Sequence, residues 1–183
     1  MTRFLDRLPA FDALIPVYGV ISFPIYAWTV TAWFWKLPSW FLYLYPGEIL
    51  AIFAYAMTTA LVESVFACVL VVLVSILLPP RLFRDEFRVR GFWFVVGLHL
   101  LFLGYGGWWL AYVSSGYDLY MIPVTVWLAL GLLMTCLLVL LSMHIRIMAS
   151  IAQWLSDRLS IFLYIQIPVS ALSLLVVLFR NIF

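Results

Sequence analysis

The stretch EILAIFAYAMTTALVESVFACVLVVLVSILL, residues 48–78, decides the fold class of this chain. After Glu48, Glu63 is its only charged residue, and Pro79 and Pro80 follow directly. A helix of about 30 residues rises roughly 45 Å, which exceeds a hydrocarbon core of about 30 Å. We therefore predict a membrane-spanning helix that tilts or protrudes and that ends at the two prolines.

The composition extends this prediction to the whole chain. Hydrophobic residues make up 67% of the 183 residues and charged residues 10%, far from the balance of a soluble domain. We predict an all-α integral membrane protein, a bundle of about five transmembrane helices in a single domain with no soluble domain. The predicted spans are 8–35, 48–78, 91–115, 119–145 and 159–182, with interfacial segments at 36–47 and 79–90. Only Ser156, Asp157 and Arg158 place the turn between the last two spans.

The distribution of arginine predicts the orientation. With the N-terminus inside, eight arginines fall on the cytoplasmic side, and the outer side keeps only Lys36 and Arg180. Cytoplasmic segments of membrane proteins carry such an excess of basic residues. We therefore predict a multi-pass protein of the cell membrane, plasma or inner, with its N-terminus inside and its C-terminus outside. The eight are Arg3, Arg7, Arg81, Arg84, Arg88, Arg90, Arg146 and Arg158.

Glu63 is the first candidate for a functional residue. Small residues share its side of the helix, and such residues mark close helix contacts in membranes. We expect Glu63 to face protein as a neutral carboxyl, hydrogen bonded to Tyr105, Thr135 or Gln166, since desolvation favours the uncharged form. The alternative is a proton or ligand site. The helix-packing residues predicted around it are Ala56, Ala60, Ser64 and Ala67.

The third span contributes a histidine and a glycine face. His99 is predicted to be a buried hydrogen-bonding residue, because the depths of His99 and His144 differ too much for the two ligands of one haem. Gly97, Gly104 and Gly107 permit close helix contact. Paired acids, HExxH and CxxC motifs do not occur in the sequence. No cofactor, metal site or catalytic residue is predicted.

The segment PPRLFRDEFRVRGFW, residues 79–93, is the remaining candidate. Arg81, Arg84 and Arg88 share one helical face, and Arg90 lies four residues after Glu86. Each arginine near a membrane surface contributes about 1 kcal/mol of attraction to anionic lipid. We predict that these four arginines contact anionic headgroups.

Three function classes remain open. The favoured one is a non-catalytic scaffold or accessory subunit of a membrane complex, which packs through small-residue helix faces and binds lipid as a further role. Its partner is another membrane protein or a second copy of the chain, and no nucleic acid is expected. The alternatives are a small proton-coupled transporter that uses Glu63 and a membrane enzyme that modifies lipid headgroups. The pattern of residues favours a protein that is not an enzyme.

Overall fold

The fold is described by a computed structural model that covers residues 8–80, 83–115 and 124–182, with the backbone alone for 111–115. The described residues form six helices and no strand. Five of these helices are long and apolar enough to cross a membrane, which confirms the prediction of five spans. The helices are α1 (Phe11–Trp40), α2 (Pro46–Leu77), α3 (Phe87–Ser115), α4 (Val124–His144), α5 (Arg146–Ser160) and α6 (Leu163–Ile182).

Part of the first predicted interfacial segment is helical. Helix α1 continues through Lys36 and Pro38 to Trp40, so the connection to α2 is only the turn over 41–45. The N–H of Tyr45 then donates to Oε2 of Glu48 at 2.9 Å, so the Glu48 carboxylate caps the N-terminus of α2. The end of the second predicted segment is also helical, because α3 begins at Phe87. The interfacial position of both segments stays a prediction.

The predicted turn at 156–158 is wrong, because these residues lie inside α5. The chain breaks earlier, at Ile145, whose backbone is extended, and again in a turn at 161–162. Between these breaks the sequence holds good helix formers and no proline or glycine, so a helix persists. Helix α5 is amphipathic, with Ala152 and Ser156 buried and Gln153, Asp157 and Arg158 exposed.

The spans form two groups, which pack against each other directly through α1 and α3 and are also joined by α5. Helix α2 packs between α1 and α6, and α3 packs closely along α4. Helix α5 contacts α1, α3 and α4, and Ala152 enters a core with Val17 of α1 and Phe92 of α3. The indole N–H of Trp93 in α3 also donates to the carbonyl of Met148 in α5 at 3.2 Å. The amphipathic helix therefore ties the two groups together at one end of the bundle.

The five long helices place the beginning of α1 and the end of α6 at opposite ends of the bundle. Arg180 near the end of α6 lines a cavity with Gly47, at the beginning of α2. Arg88, at the beginning of α3, contacts α5 at the other end. Which end faces the cytoplasm, and which membrane holds the protein, remain predictions.

Candidate functional site: the two faces of the second helix

The inward face of α2 is the packed face. Met57, Ala60 and Ser64 are buried there, and Ala67 and Ala56 are half-buried. Met57 and Ala60 form a small core with Tyr26 of α1. The hydroxyl groups of Ser64 and Tyr18 lie 3.1 Å apart. The small residues on this face thus let α1 approach closely within the chain.

A polar cluster lies on this inward side and joins three helices. We define it as Tyr18 and Tyr26 of α1, Ser64 of α2, and Gln166 and Ser170 of α6. Gln166 is 2% exposed, and its Nε2 donates to the hydroxyl of Tyr18 at 3.0 Å. The hydroxyl groups of Tyr26 and Ser170 are 2.6 Å apart. These contacts span α1, α2 and α6 because long tyrosine side chains bridge between the helices.

The sequence prediction named Gln166 and Ser64 but missed both tyrosines and Ser170. A signal for them exists in the sequence: Tyr18, Ser22 and Tyr26 recur every four residues along α1. Gln166 and Ser170 show the same spacing in α6. Polar residues four apart share a helix face, so both patterns mark faces that hydrogen bond across a membrane interface.

Glu63 lies on an outward side of α2, about a quarter turn from the packed face, which corrects the expectation that it faces protein. Its side chain is exposed, like those of Val62 and Phe66, which are 63% and 62% exposed. No described residue hydrogen bonds to its carboxyl group or forms an ion pair with it. Thr59, one turn away, donates its hydroxyl to the carbonyl of Tyr55 instead. Glu63 therefore has no polar partner among the described residues, and the side chains around it are mainly apolar.

The depth of Glu63 follows from the length of α2. It lies about 25 Å from the beginning of the helix and about 21 Å from its end, at 1.5 Å rise per residue. A hydrocarbon core of about 30 Å placed anywhere along this helix therefore includes it. An ionised carboxylate in contact with lipid at that depth would cost several kcal/mol.

The expected hydrogen-bond partners of Glu63 are engaged elsewhere. Thr135 donates to the carbonyl of Gly131 at 2.8 Å, within α4. The ring of Tyr105 lies 6.2 Å from that of Trp127. Gln166 belongs to the polar cluster on the inward side. The predicted hydrogen bond from Glu63 to Tyr105, Thr135 or Gln166 is therefore wrong.

His99 is half-buried, and its Nδ1 lies 2.9 Å from the carbonyl of Val95 in its own helix.

The glycines of α3 divide into two kinds. A Cβ built on Gly97 would lie 2.7 Å from Oγ1 and 3.0 Å from Cα of Thr135. A Cβ built on Gly104 would lie 3.0 Å from the ring of Trp127. No described atom lies within 4 Å of a Cβ on Gly107. Gly97 and Gly104 therefore face α4 directly, whereas the described structure does not place Gly107 in this contact.

The arginines at the α5 end of the bundle make contacts within the chain. Arg88 forms an ion pair with Asp157, and its guanidinium also donates to the carbonyl of Gln153 and to the hydroxyl of Ser156. Arg90 is buried, with a nitrogen 3.6 Å from Oε2 of Glu86. Arg84 is half-buried, and Arg81 lies outside the described residues. Contact of these arginines with anionic headgroups stays a prediction.

Within the described ranges, no three His, Cys, Asp or Glu side chains come together as a metal site requires. Comparisons with protein-family models, with curated proteins and with solved structures give no match. The geometry of the chain itself is therefore the basis for a functional proposal.

Proposed function

We propose that this polytopic membrane protein is a non-catalytic subunit of a membrane complex, and that its partner packs on the outward face of α2 around Glu63. The single observation that carries the proposal is the exposed carboxyl of Glu63 in the middle of this membrane-spanning helix. A lone carboxyl in contact with lipid tails leaves its polar atoms unsatisfied, and such a group costs several kcal/mol. A second helix that covers it removes this cost.

The chemistry of the face indicates the kind of partner. Val62, Phe66 and Leu70 surround Glu63 with exposed apolar area, which a lipid-facing helix can match. Opposite the carboxyl, the partner needs a hydrogen-bond donor or a base, such as Asn, Gln, Lys or His. We therefore assign the site to another membrane protein that carries such a side chain within a spanning helix.

The small residues predicted as the external contact do not fill that role. Ala60 and Ser64 are buried within the chain, where they contact α1. The small-residue stripe therefore assembles the subunit itself. We therefore place the contact with the partner on the neighbouring, exposed face of α2 around Glu63.

Photo-crosslinking tests the proposal. A crosslinking amino acid replaces Phe66, one turn from Glu63, and in a matched control it replaces Leu140 on the exposed side of α4. We expect position 66 to give one discrete adduct with another polypeptide in the native membrane. Position 140 should give lipid adducts alone. The adduct from position 66 should disappear when Glu63→Leu is added, because Leu cannot hydrogen bond.

Two outcomes would overturn the assignment. Lipid adducts alone from both positions would show that the α2 face is bare in the membrane. An adduct of twice the mass of the chain would identify a second copy as the occupant and reject the other membrane protein.

A further inference from the structure

Helix α5 has an apolar face that the described part of the chain leaves largely exposed. Ile147, Ile151 and Trp154 follow one another at intervals of four and three residues, so they share one side of the helix. We call these three residues the apolar stripe; their side chains are 69%, 45% and 61% exposed. Ala152 and Ser156 are buried on the opposite side, where they contact α1 and α3. The apolar stripe is therefore distinct from the face that packs on the bundle.

A polar face lies beside the apolar stripe and completes the exposed surface of α5. Ser150, Gln153 and Asp157 are exposed along it, again three and four residues apart. The carboxylate of Asp157 forms the ion pair with Arg88 that ties α5 to α3. The helix thus turns one side to protein, one polar side outward and one apolar side outward. Exposed polar and apolar faces side by side are typical of helices that lie at the boundary between water and lipid.

The lengths of the neighbouring spans place α5 at such a boundary. Helix α4 has 21 residues and α6 has 20, and each therefore rises about 30 Å, the thickness of a hydrocarbon core. Only Ile145 separates α4 from α5, and only the turn at 161–162 separates α5 from α6. Arg88 and Trp93, which donate to α5, lie within the first two turns of α3 at the same end. Both ends of α5 therefore lie where the hydrocarbon core ends.

Trp154 and Arg158 have the chemistry of this boundary. The guanidinium carbon of Arg158 lies 5.9 Å from the centre of the Trp154 ring. Tryptophan is enriched at membrane–water interfaces because its ring is apolar and its N–H is polar. A long arginine side chain next to the ring extends its charge toward water while its stem stays on the apolar surface. This pair is suited to the depth at which acyl chains meet headgroups.

We propose that α5 is an in-plane membrane-surface helix, which inserts the apolar stripe among the acyl chains of one leaflet, next to the headgroups. The occupant of this face is lipid and not a water-soluble protein. Because buried contacts and the Arg88–Asp157 ion pair fix α5 to the bundle, the inserted helix sets the depth of the bundle in the membrane. The site is separate from the outward face of α2, and the proposal holds with or without a partner at Glu63.

Fluorescence quenching by brominated lipids tests the depth of the apolar stripe. The native chain, Trp154→Phe and Trp28→Phe are reconstituted in phosphatidylcholine vesicles, with bromine either near the headgroup or near the end of the acyl chains. The difference between the native chain and each variant gives the emission of the tryptophan that was replaced. Trp28 is the matched control, because it is 71% exposed in the middle of α1.

The two tryptophans should show different depth profiles. We expect the emission of Trp154 to be quenched mainly by the shallow bromines, because an in-plane helix is buried about 5–10 Å into the boundary between headgroups and acyl chains. The emission of Trp28 should be quenched mainly by the deep bromines. Emission of Trp154 that neither lipid quenches would reject lipid as the occupant. A profile equal to that of Trp28 would reject the position at the membrane surface.

Spin labels on α5 test the apolar and polar faces separately. In a full chain that carries Cys68→Ala and Cys136→Ala, which removes both free cysteines, Ile151→Cys is labelled in one variant and Gln153→Cys in its control. In vesicles, the label at position 151 should be accessible to oxygen and shielded from a water-soluble nickel complex, and the label at position 153 should show the reverse. A label at position 151 that the nickel complex reaches, or that neither reagent reaches, would overturn the proposal.

Discussion

The two groups of spans are held together in different ways. Helices α1, α2 and α6 meet through the polar cluster, in which tyrosine, serine and glutamine side chains bridge between the helices. Helices α3 and α4 meet at glycines, because Gly97 packs directly against Thr135 and Gly131 packs against the side chain of Leu101, and neither position leaves room for a side chain. The indole of Trp127 adds one hydrogen bond across this pair, to the carbonyl of Leu101 at 3.1 Å. The comparison separates contacts that depend on shape from contacts that depend on polar partners.

This difference predicts which residues can be substituted with little loss of stability. Close packing is lost when a single atom is added at the contact point, since packed interiors do not accommodate extra volume. A hydrogen bond between membrane helices contributes less, on average about 0.6 kcal/mol and at most about 1.7 kcal/mol. The α3–α4 pair should therefore be the more sensitive to point substitution.

The largest effect is expected for Gly97→Leu. The side chain would meet the backbone and the branched side chain of Thr135, which cannot yield, so α3 and α4 must separate. We expect a loss of about 2–3 kcal/mol in the free energy of unfolding, measured by denaturation in mixed micelles. Gly107→Ala is the matched control and should be neutral or slightly stabilising, because Ala favours helix. Equal losses in both variants would remove the distinction between the two glycines.

A smaller effect is expected for Gln166→Leu in the polar cluster. Leu removes the donor to Tyr18 but nearly preserves volume, so the loss should be about 1 kcal/mol in the same assay. Tyr18→Phe should cost less when added to this variant than it costs in the native chain, because the bond between Gln166 and Tyr18 is already lost and only the contact with Ser64 remains to be removed. A loss as large as that of Gly97→Leu would show that polar contacts dominate this group instead.

The smallest effect is expected for Thr135→Val in α4. Among the described residues the hydroxyl of Thr135 bonds only to the carbonyl of Gly131 in its own helix, and Val keeps the shape that Gly97 contacts. We expect a change below about 0.5 kcal/mol. A loss above 1 kcal/mol would indicate that this hydroxyl joins α4 to another helix.

The sequence predicted five long apolar helices because hydropathy and length alone decide them. It did not predict which face of α2 is buried. Successive helical residues turn by about 100°, so Glu63 and Ser64 diverge even though both adjoin the small-residue stripe. The buried face centres on Met57, Ala60 and Ser64. This face is buried because α1 and α6 pack against α2, which local sequence does not reveal. Helix α5 was missed because its polar residues were read as a turn.

The most direct test of the central proposal is the reactivity of Glu63 with a membrane-permeant carbodiimide, which labels protonated carboxyl groups in lipid. The chain purified alone in detergent should be labelled at Glu63, because its side chain is exposed. In the native membrane the partner helix should protect it, lowering labelling about tenfold or more, and Glu63→Gln should remain unlabelled in both. Equal labelling in the membrane and in detergent would contradict a partner on the outward face of α2, and would favour a lipid-facing carboxyl that exchanges protons.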